Sequence, residues 1–357
     1  MTVVTALTVL LALAGAVTVL RSHRLEHTRR RLVEDVGLLQ AALLPALPER
    51  VGAACVSAAY LPAEGVAAGG DFFDAFELGD GRTCILVGDV AGHGRDSVPL
   101  TAHVHYTLRA YLEAGLAPRE ALHVGATALG PHLGERTVTA VIGVYDPVTG
   151  GLTYACAGHP PPVLTGRVHA PVTACSSPPL AAGLATGHRQ TTIALPPGTT
   201  ACFFTDGVTD VRVGGERLEP AGLAELLYDE TDDLTAREIL RRVVATSDDR
   251  PDDMAACVLR PLPTLFGSTA RATEVLELDA ARLERGLGKR FLDACGVRTH
   301  EANQAVTRAR ALTALERGTA VLTVTDGHVT VSRADAVELN VLPERSRRRR
   351  AAAAAAA

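Results

Sequence analysis

Gly69-Gly70-Asp71-Phe72-Phe73-Asp74-Ala75-Phe76, followed after a short interval by Gly88-Asp89-Val90-Ala91-Gly92-His93-Gly94, is the stretch from which this chain is best understood. The interval holds Asp80-Gly81, a hairpin turn signal, flanked by the strand-like runs Phe72 to Leu78 and Thr83 to Val87. Two antiparallel strands are therefore expected side by side, with Asp71 and Asp89 meeting at one end of a sheet. Carboxylates brought together repel, and the usual resolution is a divalent cation or a shared proton. Glycines beside each aspartate leave room for an ion.

The totals set bounds. At 357 residues and 47% hydrophobic the chain can build about two domains with a sizeable core. The net charge of -5 is unevenly spread: Val51 to Ser268 holds 14 arginines against 25 acids, which disfavours a nucleic-acid role for that segment. The seven cysteines are odd in number and scattered, with no paired spacing for zinc, and several sit in apolar runs as buried thiols would.

Taken in order, Met1 to Leu20 has no charged side chain and is long enough as a helix, roughly 30 Å, to cross a bilayer. The arginines Arg21, Arg24, Arg29, Arg30 and Arg31 follow it and predict a single-pass anchor with a cytoplasmic C-terminal portion. A cleaved leader is the competing reading, without the basic region that normally precedes one. Residues 21–48 form a linker whose stripe Leu32, Val36, Leu39 and Leu43 predicts a helix, either a connector lying on the next domain or a dimerising element. Residues 49–262 form the main domain. Its strand runs are Cys55 to Tyr60, Val138 to Tyr145, Leu152 to Cys156, Thr191 to Leu195, Ala201 to Thr205 and Ala255 to Leu259, besides the opening hairpin. Helical patterns fit Pro99 to Ala114, Arg119 to Leu129, Ala221 to Tyr228 and Thr235 to Thr246. Turn signals between neighbouring strand runs favour an α+β sandwich of antiparallel sheets over a doubly wound parallel sheet. Beyond a Pro/Gly/Ser linker, residues 270–342 are expected to form a small C-terminal α+β module, with helices over Asp279 to Cys295 and His300 to Arg317 and a hairpin at Asp326-Gly327. Residues 343–357 are an Arg/Ala tail expected to be disordered.

Two further acidic signals belong with the first pair: Phe203-Phe204-Thr205-Asp206-Gly207, a strand ending in Asp-Gly, and Arg250-Pro251-Asp252-Asp253-Met254, leading into the last strand of the domain. Short carboxylates suit Mn²⁺ or Mg²⁺, supplying hard oxygen while leaving positions for water. Two such ions about 3.5 to 4 Å apart acidify a water and neutralise a phosphoryl group in in-line displacement. Other phosphate chemistries lack their signatures: no cysteine has an arginine six positions on, there is no Gly-x-x-x-x-Gly-Lys loop, and His300-Glu301 lacks the second histidine of a zinc protease helix.

The runs Gly-Gly-Asp-Phe-Phe-Asp (69–74), Gly-Asp-Val-Ala-Gly-His-Gly (88–94), Ala-Gly-His-Pro-Pro-Pro (157–162), Thr-Asp-Gly-Val-Thr-Asp (205–210) and Asp-Asp-Met (252–254) resemble, in order and spacing, the metal-dependent PPM-type serine/threonine phosphatases of the bacterial SpoIIE-like branch. The resemblance covers Leu39 to Arg260. It implies an α/β/β/α sandwich of two antiparallel sheets flanked by helices, with two metal ions, Mn²⁺ or Mg²⁺, between the sheet edges. Carried over position by position, it makes Asp71 and Asp89 metal ligands, Asp89 the bridge, with the Val90 carbonyl on one ion and Asp206 on the second side. Asp252 matches the last metal-binding aspartate and Asp253 stands where relatives have Asn or Asp; Asp252 is favoured, but pattern alone does not separate the adjacent pair, and Asp253 stays a candidate metal ligand. Asp74 and Asp210 are either water-orienting or turn residues; Gly69, Gly70 and Gly207 are expected to allow close approach. The role of general acid does not carry over to His93, because the relatives' candidate acid falls at Ala91. His159 is expected to be structural, and Ala255 stands where relatives carry Thr or Ser.

The expectation is thus a membrane-tethered, metal-dependent protein serine/threonine phosphatase that acts on a phosphorylated regulatory protein of the anti-anti-sigma type, with dimerisation through the linker helix as a possibility left open by that stripe and no nucleic-acid partner. The alternative is a catalytically silent pseudophosphatase that binds a phosphoprotein. An anti-sigma ATPase in the C-terminal part is disfavoured: Glu301 and Asn303 resemble its asparagine box, but no Asp-x-Gly-x-Gly loop follows.

Overall fold

The structure, a computed structural model, describes residues 15, 18–24, 26, 44–62, 70–92, 97–165, 177–228, 234–249, 252–263, 269–316 and 318–334. Most of the expected membrane anchor and linker helix, together with Gly69, His93 and the 343–357 tail, lies outside them. Among the described residues no helix is long and apolar enough to cross a membrane.

Among the described residues, the strands run in chain order as β1 (Arg50–Val51), β2 (Ala54–Leu61), β3 (Asp71–Glu77), β4 (Thr83–Val90), β5 (Val138–Asp146), β6 (Gly151–Ala157), β7 (Val163–Leu164), β8 (Arg189–Ala194), β9 (Ala201–Phe204), β10 (Arg212–Val213), β11 (Glu216–Arg217), β12 (Met254–Pro261), β13 (Thr273–Leu278), β14 (Ala320–Thr325) and β15 (His328–Arg333). The helices are α1 (Val98–Glu113), α2 (Pro118–Leu133), α3 (Glu219–Leu226), α4 (Ala236–Thr246), α5 (Ala280–Glu284), α6 (Leu287–Ala294) and α7 (Thr299–Glu316). A smaller sheet has the order β1-β2-β12-β9-β7 and a larger one β15-β14-β13-β8-β6-β5-β4-β3. Every strand pairing in both is antiparallel.

The opening hairpin forms as its turn signal dictates. Gly81 takes φ 85°, and Leu78 N–H donates to the Arg82 carbonyl at 2.8 Å. This turn sets the register that brings Asp71 opposite Asp89. Strand parity then sorts the side chains: Phe73, Ala75, Ile85 and Val87 enter the core between the sheets, with Phe203, Cys257 and Leu259 from the smaller sheet. Phe72, Phe76, Cys84 and Leu86 point the other way, under α1 and α2, where Val104, Leu108, Leu122 and Leu129 cover them. The outer face of the smaller sheet is closed by α3 and α4 through Leu223, Ile239, Leu240 and Val243. Helix α4 starts at Thr235, whose hydroxyl accepts the Glu238 N–H, a serine/threonine cap with glutamate three residues on. The layers are therefore helix, sheet, sheet, helix, with buried apolar area as the main driving term.

Two features depart from the sequence-based expectation. The segment expected as a C-terminal module is not a separate sheet: β13 pairs with β8 through Thr273↔Thr192 and Leu276↔Arg189, so β13, β14 and β15 extend the larger sheet, with their own core against α5, α6 and α7. Backbone groups on the open edge of β8 are satisfied by the next strand, whatever its side chains. The helix expected over Asp279 to Cys295 is broken into α5 and α6 by Gly286 at φ 74°, a left-handed residue that ends one helix and admits the next.

Candidate metal centre

Asp71 and Asp89 face each other in the β3–β4 pair, and Asp89 is also opposite Thr139 of β5. Asp71 is buried and Asp89 half-buried. Because Asp71 has the parity of Phe73, its carboxyl points between the sheets, toward the smaller sheet. There Thr205, just after β9, donates its hydroxyl to Asp71 Oδ2 at 2.9 Å and accepts the Ala255 N–H at 2.9 Å. Thr205 thus ties the floor of the site to the last strand.

The turn after Thr205 carries Asp206 to the mouth of the cleft. Gly207 lies so close to the next segment that a Cβ there would overlap the Asp253 carbonyl oxygen and stand 3.4 Å from Asp252 Cβ. Asp206 is thereby held against the Asp252-Asp253 pair. Asp253 is buried and accepts a hydrogen bond from the Tyr60 hydroxyl at 2.7 Å, whereas Asp252 is exposed and accepts the Asp253 N–H at 2.8 Å. On the other side Gly70 closes in: Val90 N–H donates to its carbonyl at 3.0 Å, and a Cβ at Gly70 would overlap Asp89 Oδ1 and lie 2.8 Å from the Val90 carbonyl oxygen. A bare backbone at position 70 leaves that carboxylate and carbonyl oxygen facing open space.

The acids act on one another. Burial first, then Asp89, Asp253 and Asp206, drive the Asp71 carboxyl well above its ordinary range, against the Thr205 hydrogen bond that pulls it down. Burial and the charges of Asp206, Asp252 and Asp253 push Asp89 up to about 7. Desolvation, Asp210 and Asp252 raise Asp206. No ion pair joins Asp71, Asp89, Asp206 or Asp252 to an arginine or lysine among the described residues. Nor do three His, Cys, Asp or Glu side chains among the described residues converge on one point; the carboxylates are spread around the cleft. Hard-oxygen donors placed around one cleft, without a protein counter-charge among the described residues, fit a divalent cation by donor chemistry.

A pH dependence follows. Well below about pH 4, these carboxyls are protonated in folded and unfolded chains alike. As pH rises toward the value of about 7 for Asp89, the unfolded chain has released its protons while the folded site still holds them, so stability falls with pH. The melting temperature in EDTA is expected to drop between about pH 4 and pH 7, and saturating Mn²⁺ to reverse that slope by favouring the ionised form. A flat profile in EDTA would show that the acids do not repel in the folded state.

Two sequence candidates stand apart. Asp74 has the opposite strand parity to Asp71 and lies under α1, bound to His105 Nε2 at 2.9 Å and Arg109 at 2.7 Å, which hold its carboxyl below the usual range despite burial. It pins β3 to α1 rather than facing the cleft. Asp210 pairs with Arg217 at 3.2 Å beside the β10–β11 ribbon. His159 is structural: its Nε2 donates to the Phe204 carbonyl at 2.8 Å, so Nδ1 accepts from the Thr139 hydroxyl at 2.9 Å, joining the two sheets behind the cleft. Burial lowers its pKa to about 4, so it stays neutral. Thr205 and Tyr60 are site residues that sequence reasoning missed. Thr205 could have been suspected from its place before Asp206; Tyr60 carried no signal.

The two antiparallel sheets flanked by helices, with carboxylates at one end, match the PP2C-like fold. The family model of Stage II sporulation protein E (SpoIIE) matches residues 79–261, more than half of the chain, and the chain belongs to this family of PPM-type protein serine/threonine phosphatases. Among solved structures, the RsbU and RsbW domains of Rv1364c from Mycobacterium tuberculosis are 25% identical, with TM-score 0.51 over 78% of this chain and 81% of that one. The SiaA-PP2C domain of Pseudomonas aeruginosa is 23% identical, with TM-score 0.52 over 67% of this chain and 98% of that one, a likeness of fold.

Proposed function

We propose that this SpoIIE-family chain removes phosphate from phosphoserine or phosphothreonine of a regulatory phosphoprotein of the anti-anti-sigma type, using two divalent cations, Mn²⁺ or Mg²⁺. The observation that carries the metal reading is the set Asp71, Asp89, Asp206, Asp252 and Asp253, drawn from both sheets around one cleft, whose charges raise the pKa values of Asp71, Asp89 and Asp206. Asp71, Asp89, the Val90 carbonyl, Asp206 and Asp252 would hold the ions, with Asp253 braced by Tyr60. Bound there, the cations supply Lewis-acid charge to the phosphoryl group and acidify a water for in-line attack. Thr205 orients Asp71, Gly70 keeps Asp89 Oδ1 accessible, and His159 holds the sheets at a fixed spacing. A cysteine nucleophile is disfavoured, since burial pushes the Cys156 and Cys202 thiols up to about 12 and raises Cys84 and Cys257 as well. The substrate class follows from the family resemblance. Dephosphorylation would switch partner binding by removing roughly one and a half to two negative charges.

The test is hydrolysis of an aryl phosphate in EDTA, Mg²⁺ or Mn²⁺. Metal-dependent turnover supports the reading; a folded protein that binds Mn²⁺ by calorimetry yet turns nothing over would be a phosphoprotein-binding pseudophosphatase.

The apolar run Met1 to Leu20 supports a single-pass tether that leaves the catalytic domain cytoplasmic, and the stripe in residues 21–48 supports a dimer. Deletion of residues 1–31 is expected to move the protein from membrane to soluble fraction and to lower its oligomeric state. A soluble full-length monomer would overturn both expectations.

A further inference from the structure

We propose that the cleft contains a substrate subsite beside Asp206 that takes the residue flanking the phosphoserine, an apolar side chain whose main-chain carbonyl accepts a hydrogen bond from Arg189 Nε. This rests on the phosphatase reading above. The smaller sheet ends at β7, whereas the larger one continues through β6 and β8 to β13. At that step a cavity of about 440 Å³ opens, lined among others by Tyr154, Cys156, His159, Pro160, Arg189 and Asp206. Asp206 belongs to both cavity and acid cluster. Successive residues of an extended peptide advance by only about 3.3 to 3.6 Å, so a phosphoserine at the acids puts its neighbour here.

The cavity wall is largely apolar; besides Arg189, its polar side chains are Tyr154, His159, Ser177, Gln190, Thr191 and Asp206. Arg189 is 9% exposed, on the face of β8 that carries Ile193 into the inter-sheet core. Its guanidinium donates from Nη2 to Glu274 Oε2 at 3.1 Å, and the same oxygen accepts the Thr191 hydroxyl at 2.8 Å. Arg189 Nε is buried and has no acceptor. A buried donor of this kind costs the fold its desolvation energy until an acceptor arrives. Glu274 already balances the arginine, and Asp206 stands at the rim, so a second carboxylate meets repulsion while a neutral carbonyl does not. Other wall groups have partners: His159 uses both ring nitrogens, the Cys156 thiol faces the Pro160 carbonyl at 3.8 Å, Ser177 Oγ accepts the His188 N–H and Gln190 Oε1 accepts the Arg119 N–H. Because Glu274 lies on β13, the C-terminal segment sets the position of Arg189 and so contributes to substrate selection.

The experiment measures calorimetric affinity, with Mn²⁺ present, of the full-length protein for short phosphoserine peptides carrying Leu, Asp or Gly at the flanking positions. Hydrolysis of the same peptides and of an aryl phosphate is followed in parallel. Wild type is expected to favour the Leu peptide over the Gly peptide by about tenfold, the value of its apolar contact. That preference should collapse in Cys156→Leu, which fills the cavity, whereas Arg189→Gln, which removes the hydrogen bond to a carbonyl that every peptide carries, should weaken all three peptides by about tenfold, and Glu274→Gln by less. Equal affinities in wild type, a full Leu preference kept by folded Cys156→Leu, or wild-type affinities kept by folded Arg189→Gln would overturn the subsite. Discrimination without turnover would instead sink the phosphatase reading and leave the subsite standing, and turnover without discrimination would do the reverse.

Discussion

Asp89→Asn is expected to abolish metal-supported phosphate hydrolysis, with a loss of about a thousandfold or more in kcat/KM, and at the same time to raise the melting temperature of the metal-free protein. The two effects have one cause. Asp89 faces Asp71 in register and lies in the field of Asp206, Asp252 and Asp253, so its ionisation in the folded state is opposed and its pKa is pushed up to about 7. An amide of the same shape keeps the packing against Gly70 and removes a charge that the fold resists. Apo stability above neutral pH therefore rises. The same amide is a poor ligand for a hard cation, so an ion that Asp89 would hold is weakened or lost with the substitution. Turnover with saturating Mn²⁺ and thermal melts in EDTA read the two effects separately. Unchanged turnover would show that Asp89 holds no ion, and a lower apo melting temperature would show that its carboxylate is stabilised by a partner rather than strained by its neighbours.

Gly207→Ala is expected to lower both quantities. The added methyl would overlap the Asp253 carbonyl oxygen, a backbone atom held in turn by β12, so neither side yields cheaply. Overpacking of this kind costs about 1 to 3 kcal/mol. Whatever moves also parts Asp206 from Asp252 and Asp253, and a misplacement of about 1 Å at a reacting centre costs on the order of a hundredfold in rate. Melting temperature, metal affinity by calorimetry and kcat/KM should fall together. The contrast with Asp89→Asn separates a residue that supplies a ligand from one that spaces ligands. Wild-type values in all three would mean that the Asp206 turn and the 252–253 segment are not in contact in solution.

Local structure was largely legible because its determinants are local. Asp80-Gly81 and the runs around it predict the hairpin; strands β5, β6, β9 and β12 and helices α1, α2 and α4 fall close to their expected bounds, since period and turn chemistry are written within a few residues. The spatial order of strands was less so. The runs of β8 and β9 follow one another in the chain, yet β8 pairs with β6 and β13 while β9 pairs with β12 and β7, in different sheets. A crossover between sheets leaves no mark in the intervening loop that a simple hairpin would not also leave.

The acids divide in the same way. Asp71 and Asp74 stand in one strand and look equivalent in the motif; their parity sends one into the cleft and the other under α1, and which face is which depends on where the second sheet packs. Asp252 and Asp253 are adjacent, and the Tyr60 hydroxyl distinguishes them from a position 193 residues away. Thr205 reaches Asp71 across 134 residues of chain. The amino-acid sequence by itself determined the hairpin, the layered antiparallel class and the aspartates at strand ends, because these follow from neighbours a few residues apart. Only the tertiary structure decided that β13 to β15 complete the larger sheet, that Thr205 and Tyr60 brace the acids, and that Arg189 sits with an unused donor beside Asp206. Each of these is a contact between residues distant in the chain, made by backbone edges or single polar atoms that leave no pattern along it.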